Sequence, residues 1–503
     1  MTSGGNYDRD APAEPSAPGG GSVRNHVGRR GSRKPAQPGW AGERFGAWLA
    51  RPLASFHLIV TIATLLTVLG LVMVLSASSV EAYAGGGSAY SLFIQQAMFA
   101  ALGAVGFYVA LRLPLRMLRQ WSFPLFSLSV LALVLVLIPG IGSEVGGARR
   151  WFDVGPISIQ PSEVVKVTLV VWGAHLLASR RGAQLKDILV PLVPAGLLVC
   201  LLVVLEPNLS TTIALGIVLM ALLWFGGLPV RLFVSILVTG LVAASILAVS
   251  AGYRSDRVRA FFNPGDDPQG ANYQARQAKY SLADGGILGR GLGQSRAKWS
   301  YLPNSHNDFI FAIIGEELGF LGCMMVLALF ALFVYTGIRI ALRSVDPFLR
   351  LLVATATTWI TTQALINIGY VVGLLPVTGL QLPLVSAGGS SLAITLFMFG
   401  IIASAARHEP EAVSALQAGQ DGRFSRLLRL PVPEVYTPAR ADAPRKAASR
   451  ARAERPRQAP RRRPPPERRR RASESRGTSS LRSTRAWEPT YPMPHARERG
   501  RSK

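Results

Sequence analysis

The chain has 503 residues, 49% of them hydrophobic, a mean hydropathy of +0.30 and a net charge of +26 from 54 Lys/Arg against 28 Asp/Glu. A chain that is apolar and strongly basic at once must carry the two properties in separate blocks, which excludes a purely water-soluble globular protein and one that is disordered throughout. Its two cysteines, Cys200 and Cys323, lie in apolar segments without CxxC spacing or a neighbouring His, which excludes a thiolate metal cluster and a disulfide framework.

Residues 1–51 are rich in Gly, Pro, Ser and Arg and cannot bury a core, so they are expected to form a disordered basic tail. No apolar run lies near Met1, and the first spanning helix is expected to act as its own uncleaved signal. A span needs roughly 20 mostly apolar residues. Ten segments answer to this, near 56–76, 91–111, 122–140, 162–179, 188–205, 209–226, 230–250, 308–338, 350–374 and 385–406. The expected fold is therefore an all-α integral membrane protein: a ten-helix domain over 52–407, interrupted between helices 7 and 8 by a large loop at 252–307.

Charge sets the expected orientation. The loops after spans 2, 4, 6 and 8 hold ten Lys/Arg, from Arg112 to Arg350, whereas the short loops after spans 1, 3, 5 and 9 hold only Arg149 and Arg150. Both termini are then cytoplasmic and the 252–307 loop is outside. That loop carries eight Lys/Arg against four Asp. A solvated basic loop would explain this, but the excess beside Arg149 and Arg150 also suits capture of an anion such as a lipid pyrophosphate, with Arg276 and Lys279 as candidate contacts.

Ionisable groups at membrane depth are costly and usually face a cavity. In the fourth span Glu163 and Lys166 stand three residues apart on one helical face, either as a self-neutralising pair that joins helices or as the polar wall of a substrate cavity. Gln363 and Asn367 in the ninth are explained by interhelical hydrogen bonds. Of Glu316 and Glu317 in the eighth, at least one should face protein or water. The glycines at 285, 286, 289, 291 and 293 lack a preceding strand and do not form a dinucleotide loop, although they could bring backbone N–H groups near a phosphate. Asp308, at the mouth of the eighth span, reads without further context as a helix N-cap or as a general base. From 408 to 503 the chain is an Arg/Pro-rich tail, expected to be disordered; from Arg407 onward it holds 25 Lys/Arg against 10 Asp/Glu. Its RRRPPPERRRR run at 461–471 suits anionic inner-leaflet lipid.

Several motifs together resemble the SEDS family (shape, elongation, division and sporulation), which includes FtsW and RodA. They are GGARRWFDVGPISIQPSEVVK at 146–166, FFNPGDDPQGANYQARQ at 261–277, GGILGRGLG at 285–293, LPNSHNDFIFAIIGEELGFLG at 302–322 and QALINIGYVVGLLPVTGLQLPLVSAGGSS at 363–391. The resemblance spans 55–407 and is closest to actinobacterial FtsW-like members. It implies a peptidoglycan glycosyltransferase that polymerises lipid II into β-1,4-linked glycan at the outer face of the plasma membrane, at the division septum. It places the catalytic acid on Asp308 and the substrate-binding groups on Glu163, Lys166 and Arg150. Asn304, Asn307, Asn208 and Ser210 stand where the family usually has Glu, Thr, Asp and Gly.

The resemblance also implies a class B penicillin-binding protein as transpeptidase partner and a place among other division proteins. FtsZ is a candidate ligand of the basic tail, and nucleic acid is not an expected partner. No cofactor is required by the residues, while Mg2+ or Mn2+ is a possible helper at the pyrophosphate. The rival functions are a lipid II flippase using Glu163 and Lys166, an elongation-specific polymerase of the RodA type, and a scaffold that recruits partners through its tails.

Overall fold

A span in lipid must satisfy its own backbone hydrogen bonds, so each long apolar run is driven into a helix. The computed structural model describes residues 51–84, 90–145, 147–155, 157–180, 184–250, 261–262, 273–295, 306–419, 426 and 428–436. Of the expected basic tails at 1–51 and 408–503, residues 1–50, 420–425, 427 and 437–503 lie outside the described residues.

The helices are α1 (Ala54–Ala84), α2 (Ser91–Arg112), the short α3 (Leu115–Gln120), α4 (Ser122–Val136), α5 (Pro161–Ser179), α6 (Leu185–Leu205), α7 (Leu209–Phe225), α8 (Val230–Ser250), α9 (Tyr273–Gly285), α10 (Ile310–Arg343), α11 (Pro347–Val371), α12 (Ser390–Arg407) and α13 (Pro410–Gln417). Among the described residues, seven are long and apolar enough to cross a membrane, namely α1, α2, α5, α8, α10, α11 and α12. The shorter apolar helices α4, α6 and α7 stand at the other three expected positions. The chain is a predominantly helical, multi-pass membrane protein.

Local chemistry fixes the helix ends. Pro161, Pro347 and Pro410 occupy first turns, where a missing N–H costs nothing. Asn208 accepts from the Thr211 N–H at 3.2 Å and caps α7, and Asp346 accepts from the Phe348 N–H at 3.0 Å and caps α11. Packing centres on α11 and α12, whose Trp359, Tyr370 and Phe399 are almost fully buried. Glycines permit close approach: a Cβ at Gly400 would overlap the Phe107 carbonyl of α2, and one at Gly70 of α1 would overlap Leu384 and Val385.

Four features depart from the expectations. First, the loop between α4 and α5 folds into an antiparallel three-stranded sheet in the order β1 (Ser143–Val145), β2 (Ala148–Val154), β3 (Ile157–Ile159). Ser143 opposes Trp151, and Phe152 opposes Ile159. Second, the 252–307 loop contains α9, which lays Ala278, Ser281 and Gly285 against α10.

Third, the glycine run is a structural brace. The long α10 loses helical geometry at Gly319 (φ 70, ψ −166). The glycine segment supplies the hydrogen bonds that this break leaves open: Arg290 and Gly291 N–H donate to the Glu316 and Glu317 carbonyls at 3.0 Å, and Phe320 N–H donates to Gly286 O at 2.9 Å. Beneath it both carboxylates are buried and bonded to hydroxyls, Glu316 to Ser295 at 2.7 Å and Glu317 to Ser76 at 2.6 Å. Gly289 has φ +79 and its missing Cβ would overlap the Glu317 carbonyl. Gly289→Ala is therefore expected to cost at least about 2 kcal/mol, strain and clash acting together, and to lower the thermal unfolding midpoint in detergent.

Fourth, order continues past the expected boundary at 408. The buried face of α13 consists of Ala412, Val413, Ala415 and Leu416, and the segment Leu428–Tyr436 lies against the ends of α2 and α12.

Candidate active site

Three segments with little apolar drive of their own are gathered over the ends of α5, α7 and α10: the β-sheet, the α6–α7 turn and the irregular stretch 372–389. They enclose a cavity of about 440 Å³. Arg150, Trp151, Glu163, Asn208, Ser210, Asn307, Asp308, Gln363, Thr378, Gln381 and Ser391 supply most of its polar lining, so three of the expected site residues, Arg150, Glu163 and Asp308, share one wall system.

Asp308 sits in the turn before α10. The N-cap position of that helix is Phe309, so the capping alternative for Asp308 is not what this structure adopts. What fixes Asp308 is its main chain. Its carbonyl accepts from Asn367 Nδ2 at 3.0 Å and from the Tyr370 hydroxyl at 2.9 Å, and both donors also reach the Leu380 carbonyl, at 2.7 and 2.8 Å. The carboxylate faces the cavity, with Oδ2 3.5 Å from where a Cβ on Gly379 would lie. Gly379 has φ +80, a conformation that glycine adopts without penalty.

Glu163 lies in the first turn of α5, where the helix dipole favours an anion. Its Oε1 is 2.8 Å from Lys166 Nζ, and its Oε2 accepts from the Ser391 hydroxyl at 3.0 Å. Lys166 is 1% exposed, lies behind Glu163 and not on the cavity lining, and places Nζ 5.0 Å from the Trp359 ring centre. The pair joins α5 to α11 and α12 and turns one carboxylate to the cavity. Gln363 and Asn367 bond mainly to irregular main chain, Gln363 Nε2 donating to Gln381 O at 3.0 Å.

Arg150 projects from β2 and binds the α6–α7 turn, donating from Nε to Glu206 O at 2.9 Å and from Nη2 to Pro207 O at 2.8 Å. The Glu206 side chain is wholly buried, and among the described residues neither of its carboxylate oxygens has a hydrogen-bond partner. Burial pushes its pKa up to about 8, against a smaller opposing pull from Arg150. The folded protein therefore holds Glu206 protonated near neutrality. The sign follows: this contribution to stability is full below about 4.5 and is lost as pH rises towards 8. Glu206→Gln is expected to flatten that fall, up to about 5 kcal/mol at most, in unfolding midpoints measured from pH 5 to 8.

Arg276 and Lys279 lie on α9, and neither lines the cavity; Lys279 instead lies over Gly373. Tyr370, Gly379 and Ser391 carry no site role in the sequence reading. The only advance signal was the helical adjacency of Tyr370 to Asn367. Asn307 lines the cavity with a buried Oδ1 that has no partner among the described residues, an acceptor position open to a ligand donor. No group of three or more His, Cys, Asp or Glu side chains converges among the described residues.

The cell-cycle protein family model of FtsW, RodA and SpoVE matches residues 56–411. The chain is 58% identical over 419 residues to probable peptidoglycan glycosyltransferase FtsW of Mycobacterium tuberculosis, covering 82% of this chain and 80% of that one. It is 36% identical to stage V sporulation protein E of Bacillus subtilis, over 70% of this chain and 96% of that one. Among solved structures, a chain from a peptidoglycan synthase complex that coordinates polymerization and crosslinking aligns with TM-score 0.57 at 28% identity, covering 72% of this chain and 99% of that one. RodA of Thermus thermophilus aligns with TM-score 0.54 at 27% identity and the same coverage. The chain belongs to the FtsW/RodA/SpoVE family of cell-cycle membrane proteins.

Proposed function

We propose that this protein is a peptidoglycan glycosyltransferase that polymerises lipid II during cell division. The observation that carries the reading is the single cavity that brings Asp308, Glu163 and Arg150 together under an irregular, hydrogen-bonded cover. In the proposed reaction the Asp308 carboxylate takes the proton of an acceptor sugar hydroxyl as its oxygen attacks the anomeric carbon of the donor. The bond from that carbon to the pyrophosphate oxygen breaks, undecaprenyl pyrophosphate leaves with the electron pair, and inversion gives a β-1,4 linkage.

Arg150 supplies positive charge next to the developing pyrophosphate, and Lys166 acts through Glu163, holding that carboxylate in place at the cavity wall. Asn307 Oδ1 is placed to accept from a sugar hydroxyl or amide N–H. The Lys/Arg bias of the loops supports an outward-facing cavity and cytoplasmic termini, and the likeness to FtsW supports a place at the division site. The likeness to a chain of a peptidoglycan synthase complex that coordinates polymerization and crosslinking supports a crosslinking partner of the class B penicillin-binding type, with other division proteins assembled around the pair.

The test is purified protein with its transpeptidase partner in liposomes carrying lipid II. Glycan ladders are the expected product. Transbilayer movement of lipid II without ladders, under conditions where a known polymerase makes them, would replace this reading with a flippase.

A further inference from the structure

At the opposite end of the bundle, where the basic loops gather, a second cavity of about 410 Å³ lies between the ends of α2, α3, α11 and α12 and the segment Pro431–Tyr436. Its lining includes four arginines, Arg112, Arg116, Arg119 and Arg407, against two carboxylates, Asp346 and Glu434. Part of that charge is already engaged: Arg119 pairs with Asp346, and Arg116 with Glu434 at 3.0 Å. Arg112 and Arg407 donate from Nη2 to the carbonyls of Arg429 and Pro431, at 2.7 and 3.0 Å. The guanidinium of Arg119 stands 4.9 Å from the Phe348 ring centre, and its Nε is buried without a hydrogen-bond partner among the described residues. Burial also lowers the pKa of His408, another lining residue.

Two features point to a ligand. Arginine is the side chain that recognises a tetrahedral oxyanion through several N–H groups at once, and here four converge on one hollow. The chain itself places a carboxylate, Glu434, on the outermost of them: side chains of both Arg116 and Glu434 are more than 70% exposed, so this pair is a weak one that a stronger anion can displace. The cavity stands beside the ends of membrane helices, at the depth where phospholipid headgroups lie.

We propose that this cavity binds the phosphate of an anionic phospholipid headgroup, with the Glu434 carboxylate as its internal competitor. The site is separate from the candidate active site and does not depend on the reaction proposed there.

The test is binding of phosphatidylglycerol to the full-length protein in detergent, read by retention through delipidation and by titration. Phosphatidylcholine and millimolar inorganic phosphate serve as the two comparison ligands. Arg112→Gln with Arg116→Gln, both exposed, should weaken phosphatidylglycerol binding about tenfold or more, since each basic residue at the surface contributes roughly a fivefold step. Glu434→Gln should tighten it. Lys186→Gln with Arg231→Gln, on other basic loops, should leave it unchanged. Equal loss in both double variants would reduce the effect to general surface charge and overturn the proposal, as would equal retention of phosphatidylcholine. Full displacement of lipid by inorganic phosphate would assign the site to free phosphate and overturn the lipid assignment.

Discussion

Asp308→Asn is expected to lower the rate of lipid II polymerisation by about 10²- to 10⁴-fold while leaving the fold intact, the usual range for loss of a positioned general base. The change is nearly isosteric, and the contacts that hold this turn are made by the Asp308 carbonyl to Asn367 and Tyr370. An amide at the same point can accept a hydrogen bond but cannot take a proton from the acceptor sugar. Glycan ladders from purified protein with its transpeptidase partner check the first half, and an unchanged unfolding midpoint checks the second.

Lys166→Met is expected to act mainly on stability. The Glu163–Lys166 pair is almost completely buried, and removing the lysine leaves a largely buried carboxylate without its counter-charge. Breaking such a pair costs about 3–5 kcal/mol. Loss of the Nζ contact with the Trp359 ring adds to this. Pairing the change with Glu163→Gln should restore much of the unfolding midpoint, because the orphaned charge is gone, but should not restore polymerisation. A double-mutant cycle on both readouts separates the two roles; recovery of activity along with stability would show that the pair is only a structural tie.

The helices were legible because each long apolar run has one outcome in lipid, and all ten expected positions carry a helix. The sheet at 143–159 was not. Its strands are three to seven residues long, include Arg149, Arg150 and Asp153, and are stabilised by pairing with one another and by Arg150 reaching the α6–α7 turn. The helix Tyr273–Gly285 was equally hidden, since its buried face is built from Ala278, Ser281 and Gly285, which look polar or neutral until α10 is laid against them.

At the site, Glu163 and Lys166 announced themselves as charges inside an apolar run, whereas Asp308 stood out only by its place before a span and by family resemblance. Tyr370 and Gly379 carry no such mark. Their part is played through the main chain of Asp308 and Leu380, a relation that exists only in three dimensions. Arg276 and Lys279 attracted notice by charge alone, and α9 holds them off the cavity lining.

The most direct test of the central claim is a pair of measurements on Asp308→Asn at saturating lipid II: substrate affinity, and the rate of glycan extension per bound molecule. The account predicts affinity within a few-fold of wild type and extension slowed by about a hundredfold or more. Extension at the wild-type rate would contradict it and move the base elsewhere, with Glu163 the next carboxylate on the same cavity.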